Sequence, residues 1–158
     1  MKQKHQDYAL YEENGRRVVK GLGGYPSEEP EDLRALVRFS ARTYQDAPGF
    51  KFRGKDGGVD TRSYKQFESD INGLGTALLQ NGMGGRRIAI ISENRYEWSV
   101  AFFATVNGTG VAVPLDKYLP KNELANLLQR GRCDVLFFSP VYLQMVRELA
   151  EEGETPVK

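Results

Sequence analysis

Two short apolar runs separated by a helical stretch constrain this chain more than any other feature. Residues Ile88–Asp116 read IAIISENRYEWSVAFFATVNGTGVAVPLD. The run Ile88–Ile91 breaks at Ser92-Glu93-Asn94. A helical pattern then continues to Gly108-Thr109-Gly110, and a second run, Val111–Val113, leads into Pro114-Leu115-Asp116. Strands joined by a crossover helix lie parallel, because parallel neighbours need a long connection. Ligands of open α/β sheets gather beyond the carboxyl ends of the strands. Ser92–Asn94 and Leu115–Tyr118 are therefore on the side where function is expected.

The same alternation continues. Strands are predicted at Arg87–Ile91, Val111–Val113 and Val135–Phe138, and helices at Tyr96–Asn107, Lys121–Arg130 and Pro140–Glu152. This βαβαβα order predicts an α/β domain whose mostly parallel sheet is covered by helices on both faces. Upstream, Ser27-Glu28-Glu29-Pro30 reads as a helix start, with acids suited to the positive helix end. Leu33, Leu36, Val37, Ser40, Ala41 and Tyr44 share one face of that helix, and Pro48 closes it. Phe50 and Phe52, the turn Asp56-Gly57-Gly58 and Val59–Arg62 predict a β-hairpin. Ser63 with Gln66 forms a capping box, and the stripe Phe67, Ile71, Leu74, Leu78 carries a further helix to Asn81-Gly82. Asn94 with Glu97 is read as a second capping box. Residues 1–25 are polar, with Arg16-Arg17 and glycines at 21, 23 and 24. They are read as an N-terminal arm, anchored by Val18-Val19 and Leu22, on a domain over 26–158.

Composition excludes several classes. A net charge of +1 across 158 residues gives no broad field for nucleic acid or anionic lipid. Arg86-Arg87 reads as a solvated strand entry. The single cysteine, Cys133, rules out an internal disulfide, fits a reducing cytoplasmic compartment, and reads as a buried structural thiol ahead of an apolar strand. His5, the sole histidine, lies in a polar tail, and one Cys with one His cannot make a metal cluster. Met1–Gln6 is not followed by the apolar core of a secretory signal, and no run is long enough to span a bilayer, so any membrane contact would be peripheral.

The glycines carry no nucleotide fingerprint. Gly73-Leu74-Gly75 lies within a helix, where glycine allows a close helix contact, and no P-loop pattern occurs. Tyr96, Trp98, Phe102 and Phe103 read as core packing, with Trp98 mostly buried against the sheet. Glu93 and Asn94 read as a turn and helix cap. Asp116, Lys117 and Tyr118 set an acid, a cation and an aromatic tip side by side after the second strand. They read either as a solvated connection or as a ligand contact.

SENRYEW at Ser92–Trp98, followed by GVAVPLD at Gly110–Asp116, resembles the N-terminal part of the AMP-forming adenylating enzymes. Within them it is most similar to the long-chain fatty acyl-CoA synthetases. TRSYKQFESDINGLGTALLQNGM, Thr61–Met83, resembles the helix preceding this unit in the same family, and the likeness runs from about Pro26 to Glu152. The resemblance implies a partial, truncated N-terminal subdomain of the adenylating-enzyme fold. It implies a parent that joins ATP and a fatty acid into an acyl-adenylate, releases pyrophosphate, and passes the acyl group to CoA, with Mg2+ balancing the triphosphate. It also implies that Asp116, Lys117 and Tyr118 approach the CoA or acyl substrate, although the glycine-rich loop of some relatives is missing at that place.

The family's Gly/Ser/Thr-rich phosphate loop ending in lysine does not occur in these residues. Neither does its later Tyr/Thr/Glu motif, its ribose-binding aspartate or its C-terminal lysine. The chain alone is therefore expected to be inactive and to bind neither ATP nor Mg2+ tightly. The alternatives are a freestanding flavodoxin-like α/β binding module and an inert interaction module.

Overall fold

The computed structural model describes residues 8–21, 29–54, 56–153 and 155–157. His5, Leu22 and the helix start at Ser27-Glu28 lie outside the described residues. The chain divides into two compact units, Met1–Pro30 and Glu31–Lys158.

In the first unit, β1 (Tyr8–Glu13) and β2 (Arg16–Gly21) form an antiparallel hairpin pairing Leu10 with Val19. The arm reading missed it. The cause is Asn14-Gly15, both at positive φ (53° and 72°), the pairing that suits a tight two-residue hairpin turn.

The second unit opens with α1 (Leu33–Tyr44). Its cap is Asp32, whose carboxylate accepts the Ala35 N–H at 2.6 Å, so the helix starts later than the Ser27–Pro30 signal suggests. Val37 and Ala41 are its buried residues, and it ends at Gln45 (φ 42°); Pro48 begins the next strand instead of closing the helix. β3 (Pro48–Arg53) and β4 (Val59–Ser63) make the expected hairpin, with Phe50 opposite Arg62 and Gly57 at φ 84° in the turn. The Ser63/Gln66 capping box is formed as expected and starts α2 (Tyr64–Gln80).

The sheet has three parallel strands, β5 (Arg87–Ile91), β6 (Val111–Pro114) and β7 (Val135–Phe138), in the order β6-β5-β7. Its crossover helices are α3 (Tyr96–Ala104) and α4 (Lys121–Arg130), and β7 is followed by α5 (Leu143–Glu152). The last is preceded by a 3-10 turn at Pro140–Tyr142, where one continuous helix was expected.

Two details of α3 differ from expectation. The helix begins at Tyr96, so Arg95 holds the cap position with no side-chain cap bond, and Glu97 turns to the Arg95 guanidinium at 2.8 Å. The Asn94/Glu97 capping box therefore does not form. At its other end, Thr105 Oγ1 donates to the Ala101 carbonyl and a π turn over Thr105–Thr109, with Gly108 at φ 114°, ends the helix before Asn107.

Helices cover both faces of β5. Ala89 and Ile91 join a cluster with Leu124, Ala125, Leu128, Cys133, Tyr142 and Leu149 from the α4/α5 side. The opposite side carries a cluster of Val37, Phe67, Ile71, Val100 and Ala104, to which Phe50 ties the β3–β4 hairpin through its ring contact with Phe67 at 4.6 Å. Cys133 is buried as expected, and burial pushes its thiol pKa up. Gly75 lies tight against Thr109, the close contact expected of the helix glycines. Trp98 is mostly buried, as expected, but belongs to neither cluster and stacks on Phe102 with ring planes 6° apart.

Candidate functional site

The carboxyl ends of the three parallel strands bring together three segments: Ser92–Arg95 after β5, Leu115–Tyr118 after β6, and Ser139–Tyr142 after β7. The connection after β6 is held from both sides. Leu115 N donates to the Ile90 carbonyl at 2.9 Å, and the buried Tyr142 hydroxyl donates to the Lys117 carbonyl at 2.7 Å.

Within that loop Asp116 accepts the Tyr118 N–H at 2.8 Å, a local turn bond. Lys117 Nζ lies 4.8 Å from the Tyr118 ring centroid, and the ring is 82% exposed. The structure thus brings Asp116, Lys117 and Tyr118 to the expected edge, with the lysine and the tyrosine ring already paired with each other.

The sequence reading missed the polar bridge beside them. Ser139 Oγ, buried at the end of β7, donates to Glu93 Oε2 at the end of β5. That bond, with a lesser contribution from Arg95 at 3.6 Å, holds the Glu93 carboxyl below its ordinary range. Arg95 also holds the Glu97 carboxyl low. Tyr96 donates to Asp70 at 2.7 Å, and burial followed by that bond pushes its phenol up. The guanidinium is therefore committed to two carboxylates, and no histidine is available among the described residues to act as a base. No local pattern reveals Ser139 as a partner of Glu93, because the two are 46 positions apart.

An open groove of about 520 Å³ runs beside β7, between Trp98 and Val100 of α3 and Phe137, Phe138 and Pro140. None of Asp116, Lys117 and Tyr118 lines it.

Comparison with known proteins agrees with this architecture. Residues 37–158 match the family model described as AMP-binding enzyme. Over 128 residues the chain is 27% identical to the crotonobetaine/carnitine–CoA ligase of Salmonella arizonae, a match covering 80% of this chain and 25% of that protein. It is 31% identical over 99 residues to the hybrid PKS-NRPS synthetase iliA of a Neonectria species, covering 62% of this chain and 2% of that one. The fold superposes on a fatty acyl CoA synthetase of Mycobacterium tuberculosis with a TM-score of 0.67 at 18% identity, covering 78% of this chain and 24% of the other. It superposes on the N-terminal domain of FACL13 from the same organism with a TM-score of 0.66 at 17% identity, covering 80% and 33%. The chain thus spans a quarter or less of the length of these curated relatives. With the family model matched from the middle of α1 to the C-terminus, and the parallel sheet matching N-terminal parts of these enzymes, the chain belongs to the AMP-binding enzyme family.

Proposed function

We propose that the chain forms the N-terminal part of an AMP-forming acid–thiol ligase, acting on a long-chain fatty acid in the cytoplasm. The observation that carries this reading is the family match over 37–158. The parent would condense ATP with a carboxylate to an acyl-adenylate and pyrophosphate, and the CoA thiol would then displace AMP. The choice of a long-chain acid rests on the likeness of SENRYEW and GVAVPLD to the long-chain synthetases. No helix among the described residues is long and apolar enough to cross a membrane.

The described residues do not fit the triphosphate or its magnesium. They offer no group of three or more His, Cys, Asp or Glu able to hold a metal ion, and no glycine-rich phosphate loop. The role proposed for this part is to supply sheet scaffold and, at Asp116, Lys117 and Tyr118, one wall of the CoA or acyl site. Tyr142 would set the position of that wall by holding the Lys117 carbonyl.

Two measurements test the reading. The 158-residue chain, incubated with ATP, magnesium, palmitate and CoA, is expected to release no pyrophosphate above a blank. Heat-sensitive release would overturn its assignment as a non-catalytic part. In the longer protein encoded by the native reading frame, Lys117→Ala is expected to raise the KM for CoA a few-fold, as expected for one exposed ionic contact of about 0.5–1 kcal/mol. ATP–pyrophosphate exchange without CoA should be unchanged. An equal loss in both half-reactions would assign Lys117 to folding, and no loss in either would return the loop to a solvated connection. Exchange with short or aromatic acids but not with palmitate would refute the long-chain assignment.

A further inference from the structure

A second concavity lies at the amino end of β6, the opposite end of the sheet from the candidate site. It holds about 230 Å³ and is formed where α1, α2 and the π turn after α3 meet. The helix α1 brings Arg34 and Arg38, one turn apart, and α2 brings Asn72 and Thr76, again one turn apart. Gly108 and Thr109, which lead into β6, line the side made by the turn. No Asp or Glu among the described residues lines the hollow, so nothing in its wall neutralises the two guanidiniums.

The turn is shaped to hold one of these cations. Arg34 donates to the Asn107 carbonyl, and its guanidinium lies so close over Gly108 that a Cβ there would collide with it. Gly108 also sits at φ 114°, a conformation that glycine alone adopts readily. Single π turns of this kind recur at functional sites. A guanidinium has five N–H donors, so Arg34 keeps donors beyond the one given to Asn107. Arg38 is exposed and has no ion-pair partner among the described residues. Asn72 and Thr76 are exposed on the neighbouring helix and add an amide and a hydroxyl donor. Two fixed positive charges with neutral donors and no acid suit a tetrahedral dianion, because guanidinium forks match phosphate oxygens. A carboxylate, with one charge and two oxygens, would leave part of this donor set unused. The hollow is also smaller than the roughly 300–1,000 Å³ that drug-sized ligands occupy, which fits a small anion.

We propose that this hollow is a binding site for inorganic phosphate or a small soluble phosphate monoester, with Arg34 and Arg38 as its charged contacts and Asn72 and Thr76 as its neutral donors. The site is separate from the Asp116–Tyr118 edge and does not depend on the ligase reading. A net charge of +1 supplies no field to hold an anionic bilayer, so the free anion is the source that the site fits.

An amide-resolved NMR titration of the 158-residue chain tests this, with inorganic phosphate and with glycerol 3-phosphate at pH 7 and constant ionic strength. Saturable shifts are expected at Gly75, Thr76, Gly108 and Thr109. Arg38→Gln is expected to weaken binding at least about tenfold, the loss of one charge-assisted contact. Arg38→Lys keeps the charge without the fork and should fall between the two. Because Arg38 is exposed, the spectra of both variants away from the hollow should match the unsubstituted chain, which separates a lost contact from a lost fold. Shifts that do not saturate, or an affinity unchanged in Arg38→Gln, overturn the proposal. Saturable shifts at Lys117 and Tyr118 instead place the anion at the carboxyl edge and also overturn it. Equal affinity for acetate refutes the dianion assignment. Binding to phosphatidate-containing vesicles with no response to either soluble anion assigns the arginines to a lipid surface and overturns the proposal as stated.

Discussion

Trp98→Ala measures how much of the α3 surface is core and how much is open groove. A fully buried aromatic truncated to alanine costs about 3–5 kcal/mol. Trp98 is mostly but not fully buried, and its ring stacks near-parallel on Phe102 with centroids 5.3 Å apart. Incomplete burial places the expected cost at the lower end of that range, about 3 kcal/mol with the stack included. Trp98→Phe keeps a ring on Phe102 and is expected to lose less than about 1 kcal/mol, the range of volume-conserving apolar swaps. Urea unfolding followed by far-UV circular dichroism gives both numbers without relying on the lost fluorophore. In the unsubstituted 158-residue chain Trp98 is the sole tryptophan, so its emission reports this site alone and should lie between buried and hydrated indole. A loss above about 4 kcal/mol would place the ring in the core and refute the open groove. No loss, with fully hydrated emission, would refute the stack.

Two further substitutions probe the sheet. At Gly110 a Cβ would fall on the backbone carbonyl oxygen of Arg86, which cannot move without breaking its bond from Val111 N, so Gly110→Ala is expected to cost about 3 kcal/mol or more in the same unfolding assay; a loss under about 1 kcal/mol would refute the close approach. Glu93 has its folded pKa depressed by the Ser139 bond, so its contribution is present above the ordinary glutamate value and lost as pH falls through the depressed one. The wild-type chain should therefore exceed Glu93→Gln in Tm at pH 7, with the gap closing on acidification through that window; a gap constant down to pH 3 would show that the charged form is not what Ser139 holds.

The parts of this fold that were legible in the sequence are those set by neighbours a few positions apart. Ser63 and Gln66 satisfy each other's backbone across three residues, and the runs Ile88–Ile91 and Val135–Phe138 are apolar from end to end because helices cover both faces. The Asn14-Gly15 hairpin was equally local, and the polar composition around it obscured the turn signal. The start of α3 at Tyr96 was legible, but its cap was off by one residue: Arg95 holds the cap position and pairs with Glu97, which leaves Asn94 outside the capping box. Trp98 was legible as mostly buried, but period alone does not say which element covers it, and it joins neither cluster. The position of Asp116–Tyr118 at the carboxyl ends of the strands was legible from their place after a strand, whereas Ser139 and Tyr142 act across 46 and 25 positions on Glu93 and Lys117.

The same distinction explains how the site keeps its geometry. Ile88, Ala89, Ile90 and Ile91 are all 0–1% exposed, so a slip of one residue in β5 would exchange one apolar pair for another. In a strand with a single buried face, alternation specifies register; here it cannot. Polar clamps at the two ends of β5 supply what the apolar run lacks. At the start, Asp134 accepts the Arg87 N–H at 3.0 Å and pairs with the Arg86 guanidinium at 3.2 Å, binding the entry of β5 to the entry of β7. At the finish, Glu93 accepts the Ser139 hydroxyl, binding the two exits. A slip would break both clamps and leave the buried Ser139 hydroxyl without its partner, a cost of about 1–3 kcal/mol for the orphaned group alone. The carboxyl-end loops are therefore brought to one edge by β5 and kept in register by four polar side chains, Arg86, Asp134, Glu93 and Ser139, none of which lies in the hydrophobic clusters.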